Sequence, residues 1–256
     1  MRARARQAAR GAGFVALTAT MLPGVIAAVA AAREERREAV RDAWVRTWSR
    51  GILKIFAIDV VVDGEVPPPT LGSGRGRLIV SNHRSAIDIG VLLATFGGTM
   101  VSRADLARWP LVGAAARTVG TVFVDRARAE SGAATIRAVQ KHLESGKTIA
   151  IFPEGTTFDG DLVRPFHGGA FIAAARAEAE ILPVGLAYPK ASGAAFLDET
   201  FPQHLGRLAQ ADATRMGLAV GIPFVARSGD KARALTDRAH ASVTSLVGKA
   251  RTICGA

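Results

Sequence analysis

The chain has a single cysteine among its 256 residues, Cys254 close to the C-terminus. One thiol cannot form an intramolecular disulfide or supply the several thiolates of a cysteine-based metal site. Acidic residues are also scarce: 22 Asp and Glu stand against 33 Lys and Arg, giving a formal net charge of +11. These shortages exclude a disulfide-stapled scaffold and fit a reducing compartment. The excess of positive charge indicates an anionic partner such as acidic lipid, nucleic acid or a phosphorylated substrate.

Three common functional motifs are also missing. No Gly-x-Ser-x-Gly nucleophile elbow occurs, which argues against a serine hydrolase of the α/β type. Residues 145–148 read Ser-Gly-Lys-Thr, like the end of a phosphate-binding loop, but Lys141 occupies the position of the required first glycine. No nucleic-acid-binding motif or basic run with interleaved aromatics is present, so a lipid partner is favoured over nucleic acid.

The N-terminal region concentrates the positive charge, with ten arginines against four acidic residues in residues 1–50. Residues 11–32 are uncharged and long enough to span a bilayer as a helix. Eight of them are alanine, Pro23-Gly24 interrupts the middle, and both flanks are basic, so the charge rule gives no orientation. The favoured interpretation is a shallow or re-entrant membrane segment kinked at Pro23-Gly24. A single span and a cleaved signal peptide are the alternatives.

Residues 33–56 are predicted to form a second helix. Apolar residues recur at three- and four-residue spacing and make one stripe: Val40, Trp44, Trp48, Ile52 and Ile55. Tryptophans beside arginines suit a helix at a lipid headgroup layer, whereas packing of the stripe on the protein's own core is the alternative. We therefore interpret residues 1–56 as an N-terminal membrane-associating helical region.

Short apolar runs of strand length alternate with helical runs through the rest of the chain. The predicted strands are Ile58–Val62, Leu78–Val80, Thr99–Ser102, Thr121–Val124, Thr148–Phe152, Ile181–Tyr188 and Leu218–Gly221. The predicted helices are Ile87–Phe96, Leu111–Val119, Gly132–Glu144, Gly168–Ala179 and Lys231–Arg251. This alternation predicts an α/β fold in residues 57–256, a single domain with a central mixed sheet flanked by helices.

Polar side chains fill the junction at residues 81–86, where a predicted strand runs directly into a predicted helix. Such junctions can aim side chains into a cleft. His83 can take a proton near pH 7, and Asp88 could hold its tautomer and stabilise the imidazolium that forms. On a regular helix a separation of five residues would put the two on different faces, so the pairing requires the irregular junction. The alternative is that Asn82 and Ser85 cap the helix and that His83 is merely exposed.

Another strand end carries a group suited to an anion. Arg126 follows the predicted strand at residues 121–124, and a guanidinium there can bind phosphate through two parallel hydrogen bonds. An ion pair with the neighbouring Asp125 is the alternative.

Residues 154–157 follow a third predicted strand. Gly155 lets the backbone approach a ligand closely, while Thr156 and Thr157 offer hydroxyls and amides to an oxyanion. Glu154 would repel phosphate, so we interpret it as orienting Arg126 or binding an acceptor hydroxyl.

Four blocks of this chain resemble, in order, the motifs of the glycerolipid acyltransferase family, which is typified by 1-acylglycerol-3-phosphate acyltransferases. The blocks are Asn82-His83-x4-Asp88, Gly120 to Arg126, Phe152 to Thr157, and Ile181 to Gly185. Each block is short, but four ordered matches are much more specific than any one.

The resemblance implies an α/β acyltransferase that moves a fatty acyl group from a thioester on coenzyme A or acyl carrier protein to a lysophospholipid hydroxyl. The expected acceptor is 1-acylglycerol 3-phosphate and the product phosphatidic acid. His83 would be the general base oriented by Asp88, and residues 154–157 would bind the acceptor with Arg126. Arg103 resembles a basic position that family members often carry between the first two motifs. No metal or cofactor is required by these residues.

Two departures from the family pattern bear on the acceptor: Phe158 stands where serine is frequent, and His167 stands where lysine is frequent. Glycerol 3-phosphate or a lyso-aminolipid is therefore an alternative acceptor. A thioester or lipid hydrolase and a non-enzymatic membrane-binding module are the rival functions. We expect a membrane-associated protein at the cytoplasmic face of the cell membrane, in contact with anionic lipids.

Overall fold

Two long helices open the chain. The computed structural model describes residues 1–69, 71, 73–109, 111–124, 130–196 and 198–255, and in it α1 spans Arg2–Ala31 and α2 spans Glu34–Ile55. The chain reverses at Ala32-Arg33, so the two helices pack side by side as a hairpin. By length and composition α1 can cross a membrane.

The helix α1 is continuous through Pro23-Gly24. The prediction of a re-entrant reversal at this dipeptide is therefore wrong, because the reversal comes only at the end of α1. The proline costs one backbone hydrogen bond, but Gly24 offsets it by letting α2 approach: a Cβ placed there would lie 2.6 Å from the Trp44 ring.

The tryptophan stripe of α2 faces α1. Trp48 donates to the hydroxyl of Thr18 at 3.1 Å and meets the ring of Phe14 edge-on at 6.4 Å. Trp44 covers Gly24, as described above. Both tryptophans therefore pack within the protein, which is the second of the two interpretations of this stripe.

Among the described residues, eight strands form one mixed sheet, as predicted. The strands are β1 Ile58–Asp63, β2 Arg77–Ser81, β3 Thr99–Arg103, β4 Val122–Val124, β5 Thr148–Ile151, β6 Glu180–Ala187, β7 Thr214–Val220 and β8 Phe224–Val225. Their order is β1-β7-β6-β2-β5-β3-β4, with β8 beside β6. The five strands from β6 to β4 are mutually parallel, whereas β7 and β8 run antiparallel to β6.

Helices cover both faces of the sheet. The further helices are α3 Ile87–Phe96, α4 Val112–Thr118, α5 Glu130–Glu144, α6 Gly169–Arg176, α7 Phe201–Leu208 and α8 Ala232–Ile253. Alternation along β2 divides its side chains between two cores: Ile79 packs with α2 and α3, while Leu78 and Val80 pack with α5, α6 and α8. A strand buried on both faces is the expected result of this layering.

The sequence missed some elements and shortened others. The helix α7 and the short strand β8 were not predicted, and β7 begins four residues before the predicted Leu218. Pro183 lies inside β6, where it has no backbone N–H to donate to a neighbouring strand. Its carbonyl accepts from the amide of Gly221 at 2.9 Å.

The helix α2 is part of the packed domain. Arg46 donates to the carbonyl of Thr95 at 2.8 Å and to that of Phe96, at the end of α3. Asp42 accepts the amide of Gly98 at 2.5 Å. The predicted boundary at residue 56 therefore does not coincide with a gap in the packing.

Candidate active site

The predicted motif residues gather at one edge of the sheet. Because β2 to β6 include five parallel strands, their carboxyl ends meet there, the usual position of ligand sites in such sheets. The loop containing His83 follows β2, residues 152–157 follow β5, and Tyr188 follows β6. Arg103 is the last residue of β3, and Arg126 would come two residues after β4 but lies outside the described residues.

His83 and Asp88 form the predicted pair. The Nδ1 atom of His83 lies 2.9 Å from Oδ2 of Asp88. The carboxylate is fully buried, while the imidazole is 17 % exposed. With the proton on Nδ1 donated to the carboxylate, Nε2 carries a free lone pair, and no other described residue binds it. The geometry therefore provides a histidine ready to accept a proton from a group outside the protein.

Asp88 is held by donors on both oxygens. The amides of Arg84 and Ser85 donate to Oδ2 at 2.6 and 2.9 Å, and the hydroxyl of Tyr188 donates to Oδ1 at 2.5 Å. Burial, with the charge and hydrogen bond of Asp88, raises the pKa of Tyr188 well above its ordinary value of 10. The phenol therefore stays protonated and keeps donating.

The ring of His83 is fixed by stacking as well as by Asp88. Phe152 lies parallel to it, with ring centroids 3.9 Å apart and an interplanar angle of 4°. Asn82 contributes by exchanging two hydrogen bonds with the backbone of Leu186 in β6, at 2.9 and 2.8 Å. Asn82 thus ties residues 82–86, the candidate catalytic loop, to the sheet and does not cap α3, whose N-cap is Ala86.

Glu154 lies beneath the same loop, with its side chain fully buried. One oxygen accepts from the amide of His83 and from the guanidinium of Arg84, both at 2.8 Å, and the other accepts from the amide of Arg164 at 2.7 Å. A substrate hydroxyl could reach this carboxylate only by displacing one of these donors. The contacts therefore favour a structural role for Glu154.

The loop after Glu154 turns back towards His83. Gly155 has a φ of +85°, and a Cβ there would lie 2.9 Å from Nε2 of His167. Both the backbone conformation and the close approach of His167 therefore favour glycine at this position. Thr156 is exposed and Thr157 half-buried. Within the described part of the chain, no hydrogen bond occupies their hydroxyls or amides, which leaves both threonines free to meet a ligand. His167, whose position often carries lysine in the family, lies directly against this loop.

Comparison with known proteins decides the family. The acyltransferase family model matches residues 59–187, half of the chain. The chain belongs to the acyltransferase family. The predicted recognition is thereby confirmed, and the protein is an acyltransferase of the lysolipid type.

Individual relatives differ in their acceptors. A lyso-ornithine lipid O-acyltransferase of Pseudomonas aeruginosa is 30% identical over 82% of this chain and 81% of its own. A 1-acyl-sn-glycerol-3-phosphate acyltransferase of Neisseria meningitidis is 28% identical over 81% of this chain and 82% of its own. The crystal structure of the 1-acyl-sn-glycerophosphate acyltransferase of Thermotoga maritima superimposes with a TM-score of 0.75 over 97% of each chain at 19% identity, which confirms the α/β fold.

An apolar cavity of about 200 Å³ lies beside the catalytic loop of the acyltransferase. Ala86 and Ile87, at the start of α3, form the part of its wall that borders the loop. The other walls come from the helical hairpin, α3, α4 and α7, through residues that include Thr18, Trp44, Trp48, Gly90, Ala115, Phe201 and Leu205. The cavity can accommodate apolar groups, and it borders the loop that carries His83 at Ala86.

Three site residues escaped the sequence analysis. Arg84 lies inside the first motif block and Tyr188 lies shortly after the fourth, but nothing local shows that Arg84 binds Glu154 or that Tyr188 binds Asp88. His204 belongs to none of the four motif blocks, and in the structure it is fully buried and bonded to Glu199. The only local signal near it is the capping box of Thr200 and Gln203, which could have revealed α7.

We expect replacement of His83 by alanine to lower the turnover of the acyltransferase by about 10²–10⁴-fold, the usual effect of losing a positioned general base. Asp88→Asn should also be severe, because an amide would disturb the histidine tautomer. Turnover of purified variants with matched circular dichroism would test this. His142→Ala is the matched control, because His142 lies in the last turn of α5, which leads into the start of β5 at the opposite edge of the sheet. Near-full activity of folded His83→Ala would contradict the assignment.

Proposed function

We propose that the protein moves a fatty acyl group from a thioester on coenzyme A or acyl carrier protein to the free hydroxyl of 1-acylglycerol 3-phosphate, giving phosphatidic acid. The observation that carries this proposal is the open Nε2 of His83, which is supported by a buried carboxylate and lies beside an apolar cavity. Family membership supports the reaction class, and the residues of the site support the assignment of roles.

In the proposed mechanism, Nε2 of His83 takes the acceptor's hydroxyl proton while the oxygen attacks the thioester carbonyl. Asp88 stabilises the imidazolium that forms. Collapse of the tetrahedral intermediate breaks the carbon–sulfur bond, and the imidazolium returns the proton to the leaving thiolate. The amides of Thr156 and Thr157 can stabilise the oxyanion. The transfer is direct, so no acyl-enzyme forms.

The apolar cavity is the proposed site of the acyl chain. Its walls carry hydrocarbon and aromatic groups, and it begins at the residues that follow His83 in the chain. Burial of each methylene contributes about 0.8 kcal/mol, so the length of the cavity can select the length of the chain.

Gly90 offers a test of this assignment. It lines the cavity, and a Cβ added there would meet only the Leu53 side chain, at 3.6 Å. We expect Gly90→Leu to fold and to shift the acyl preference towards shorter donors, because the new side chain fills the cavity. Competition assays with mixed donors, read by mass spectrometry, would measure the shift. Gly248→Leu, in the open on α8, should leave the preference unchanged. An unchanged preference in Gly90→Leu would place the chain elsewhere.

Recognition of the acceptor's phosphate is proposed for Arg126, with Arg103 and the Gly155-Thr156-Thr157 loop in support. The strand β4 lies three strand spacings from β2, about 14 Å, and the loop after β5 lies between them. A phosphate bound after β4 would then lie on one side of His83 along the same edge. The acceptor would extend along that edge from its reacting hydroxyl to its phosphate.

A lyso-ornithine lipid is the second candidate acceptor. The observation that favours it is the similarity to the lyso-ornithine lipid O-acyltransferase of Pseudomonas aeruginosa, supported by His167 at a position where lysine is frequent in the family. An aminolipid of this kind carries no phosphate. Arg126 would therefore bind 1-acylglycerol 3-phosphate through its phosphate but would have no such contact with a lyso-ornithine lipid.

The response to Arg126→Ala should separate these acceptors. We expect the catalytic efficiency with 1-acylglycerol 3-phosphate to fall about 10- to 150-fold, the usual effect of losing a charge-assisted contact. Arg126→Lys should recover little, because the bidentate geometry is lost. Activity with a phosphate-free lysolipid should be low in the wild type and nearly unaffected by the substitution. A wild-type preference for lyso-ornithine lipid would overturn the phosphate assignment.

The outer face of α1 is the proposed membrane-binding surface. Val15 and Ile26 are 54 % and 52 % exposed, among small residues such as Ala12, Ala19 and Ala27. Exposed arginines occur near both ends of this helix of about 45 Å. Basic groups at both ends favour a helix lying in the membrane plane, at the anionic cytoplasmic face, over one that crosses.

Charged substitutions on this face should weaken membrane binding without unfolding the protein. We expect Val15→Glu combined with Ile26→Glu to lower flotation with anionic vesicles strongly, and added salt should lower the residual binding further. The matched control is Val62→Glu, because Val62 is 42 % exposed on the strand β1, away from α1. Equal flotation of the double variant and the control would exclude this face as the membrane contact.

A further inference from the structure

A second histidine lies behind the catalytic loop. His204, on α7, is completely buried, and its Nδ1 lies 2.8 Å from Oε1 of Glu199. Arg207 binds both oxygens of the same carboxylate, at 2.5 and 3.2 Å. The hydrogen bond from Arg207 is the main reason why the pKa of Glu199 falls to about 2. Glu199 is therefore ionised and accepts a hydrogen bond from Nδ1 of a neutral His204, and a guanidinium nitrogen of Arg207 lies 3.1 Å from the same Nδ1.

The opposite nitrogen of His204 points at the catalytic loop. Nε2 lies 3.1 Å from the hydroxyl of Ser85 and accepts the amide of Ala86 at 3.3 Å. Both contacts fall between His83 and Asp88 in the chain. The amide of Ser85 in turn donates to Asp88. A side chain more than a hundred residues away thus fixes the segment that joins the two members of the pair.

The arrangement of Ser85, His204 and Glu199 has the connectivity of a serine-hydrolase triad. Ser85, however, is completely buried, so a substrate carbonyl cannot reach its hydroxyl. The amide of Ala86 also shares the lone pair of Nε2 that a serine base would need. The burial and the competing donor both favour a structural function of this histidine over nucleophile activation.

We propose that His204 is a positioning residue for acyl transfer: acting through Ser85 and Ala86, it holds the loop in which His83 meets Asp88. This inference rests on the proposed function of His83 and adds a residue beyond the matched region 59–187. It assigns α7 a role at the catalytic centre besides its contribution to the cavity wall.

The electrostatics of His204 agree with this geometry. Burial, assisted by the charge of Arg207, lowers the pKa of His204 below its ordinary value of 6.5, against the opposing effects of Glu199 and Asp88. Because the pKa of His204 is lower in the folded than in the unfolded protein, neutral His204 stabilises the folded state relative to the protonated form. This stabilisation is present above pH 6.5 and is lost progressively below it. Protonation would remove the acceptor that binds Ala86.

Two substitutions separate positioning from simple core filling. Glutamine can place an amide oxygen near the position of Nε2, whereas asparagine reaches only the position of Nδ1. We expect His204→Asn to lower kcat about tenfold, with the KM values of donor and acceptor unchanged, and His204→Gln to recover most of that loss. His142→Asn is the matched control, since burial also lowers the pKa of His142 but it lies away from the site. Equal kcat losses in both His204 variants would overturn the proposal.

A spectroscopic readout keeps this test independent of the substrate. The proton that His83 donates to Asp88 should give a downfield NMR signal, identified by its disappearance in His83→Ala. In His204→Asn this signal should shift or broaden, and in His204→Gln it should stay close to its wild-type position. An unchanged signal in His204→Asn would overturn the proposal. Wild-type protein that acylates no lysolipid would instead refute the proposed function, while the NMR comparison still decides the role of His204.

Ser85→Ala distinguishes positioning from a nucleophilic serine. If the hydroxyl only contributes one of the two contacts of Nε2, Ser85→Ala should lower kcat, but by less than His204→Asn does, because the amide of Ala86 still binds Nε2. Loss of turnover as large as that of His83→Ala, together with an acyl-serine detected by mass spectrometry in the wild type, would replace the positioning role with covalent catalysis.

Discussion

The burial of the Asp88 carboxylate is the constraint on which the site depends. A charge without solvent is costly unless donors surround it, and Asp88 gathers four: the imidazole of His83, two loop amides and the phenol of Tyr188. Satisfying it requires the loop to curl around the carboxylate and β6 to end where its tyrosine can reach. The same bonds that stabilise the charge therefore fix the tautomer and orientation of His83.

The His83–Asp88 pair could be predicted from the sequence because its two members are close together in the chain. His83 and Asp88 are five residues apart, and the strand-to-helix junction that unites them is visible as a change of pattern. The contacts of Glu154 and His204 are not local, since their partners lie 70 and more than a hundred residues away. Likewise, α7 is only eight residues long, and its apolar Phe201 and Leu205 face a cavity whose other walls come from distant helices. The spacing of apolar residues in so short a helix cannot show that they line a cavity, because the other walls are brought together only by the fold.

In the helical hairpin, the tryptophan stripe of α2 packs against α1 and does not face lipid. An isolated α2 would present Trp44 and Trp48 to lipid, but α1 covers them and leaves its own small apolar residues outside. Both helices contribute to the walls of the cavity beside His83. Arg10 secures the docking of α1, since its buried guanidinium binds the carbonyls of Ala211 and Asp212, at 2.6 and 2.9 Å, beyond the end of α7. The proposed membrane contact and the proposed acyl site are thus opposite sides of one structural unit.

This arrangement bears on the choice between transfer and hydrolysis. A histidine paired with a buried carboxylate would activate water as readily as an alcohol, so the pair alone cannot select the nucleophile. Selection has to come from the surroundings: the apolar cavity proposed for the acyl chain, the flat ring of Phe152 against His83, and the helix proposed to bind the membrane. In the proposed arrangement, a lysolipid delivered from the membrane surface would reach Nε2 with its hydroxyl already oriented, whereas water would gain nothing from these contacts. The effective concentration of a positioned hydroxyl can then exceed that of solvent water by several orders of magnitude. Acyl transfer is therefore the outcome that this architecture favours.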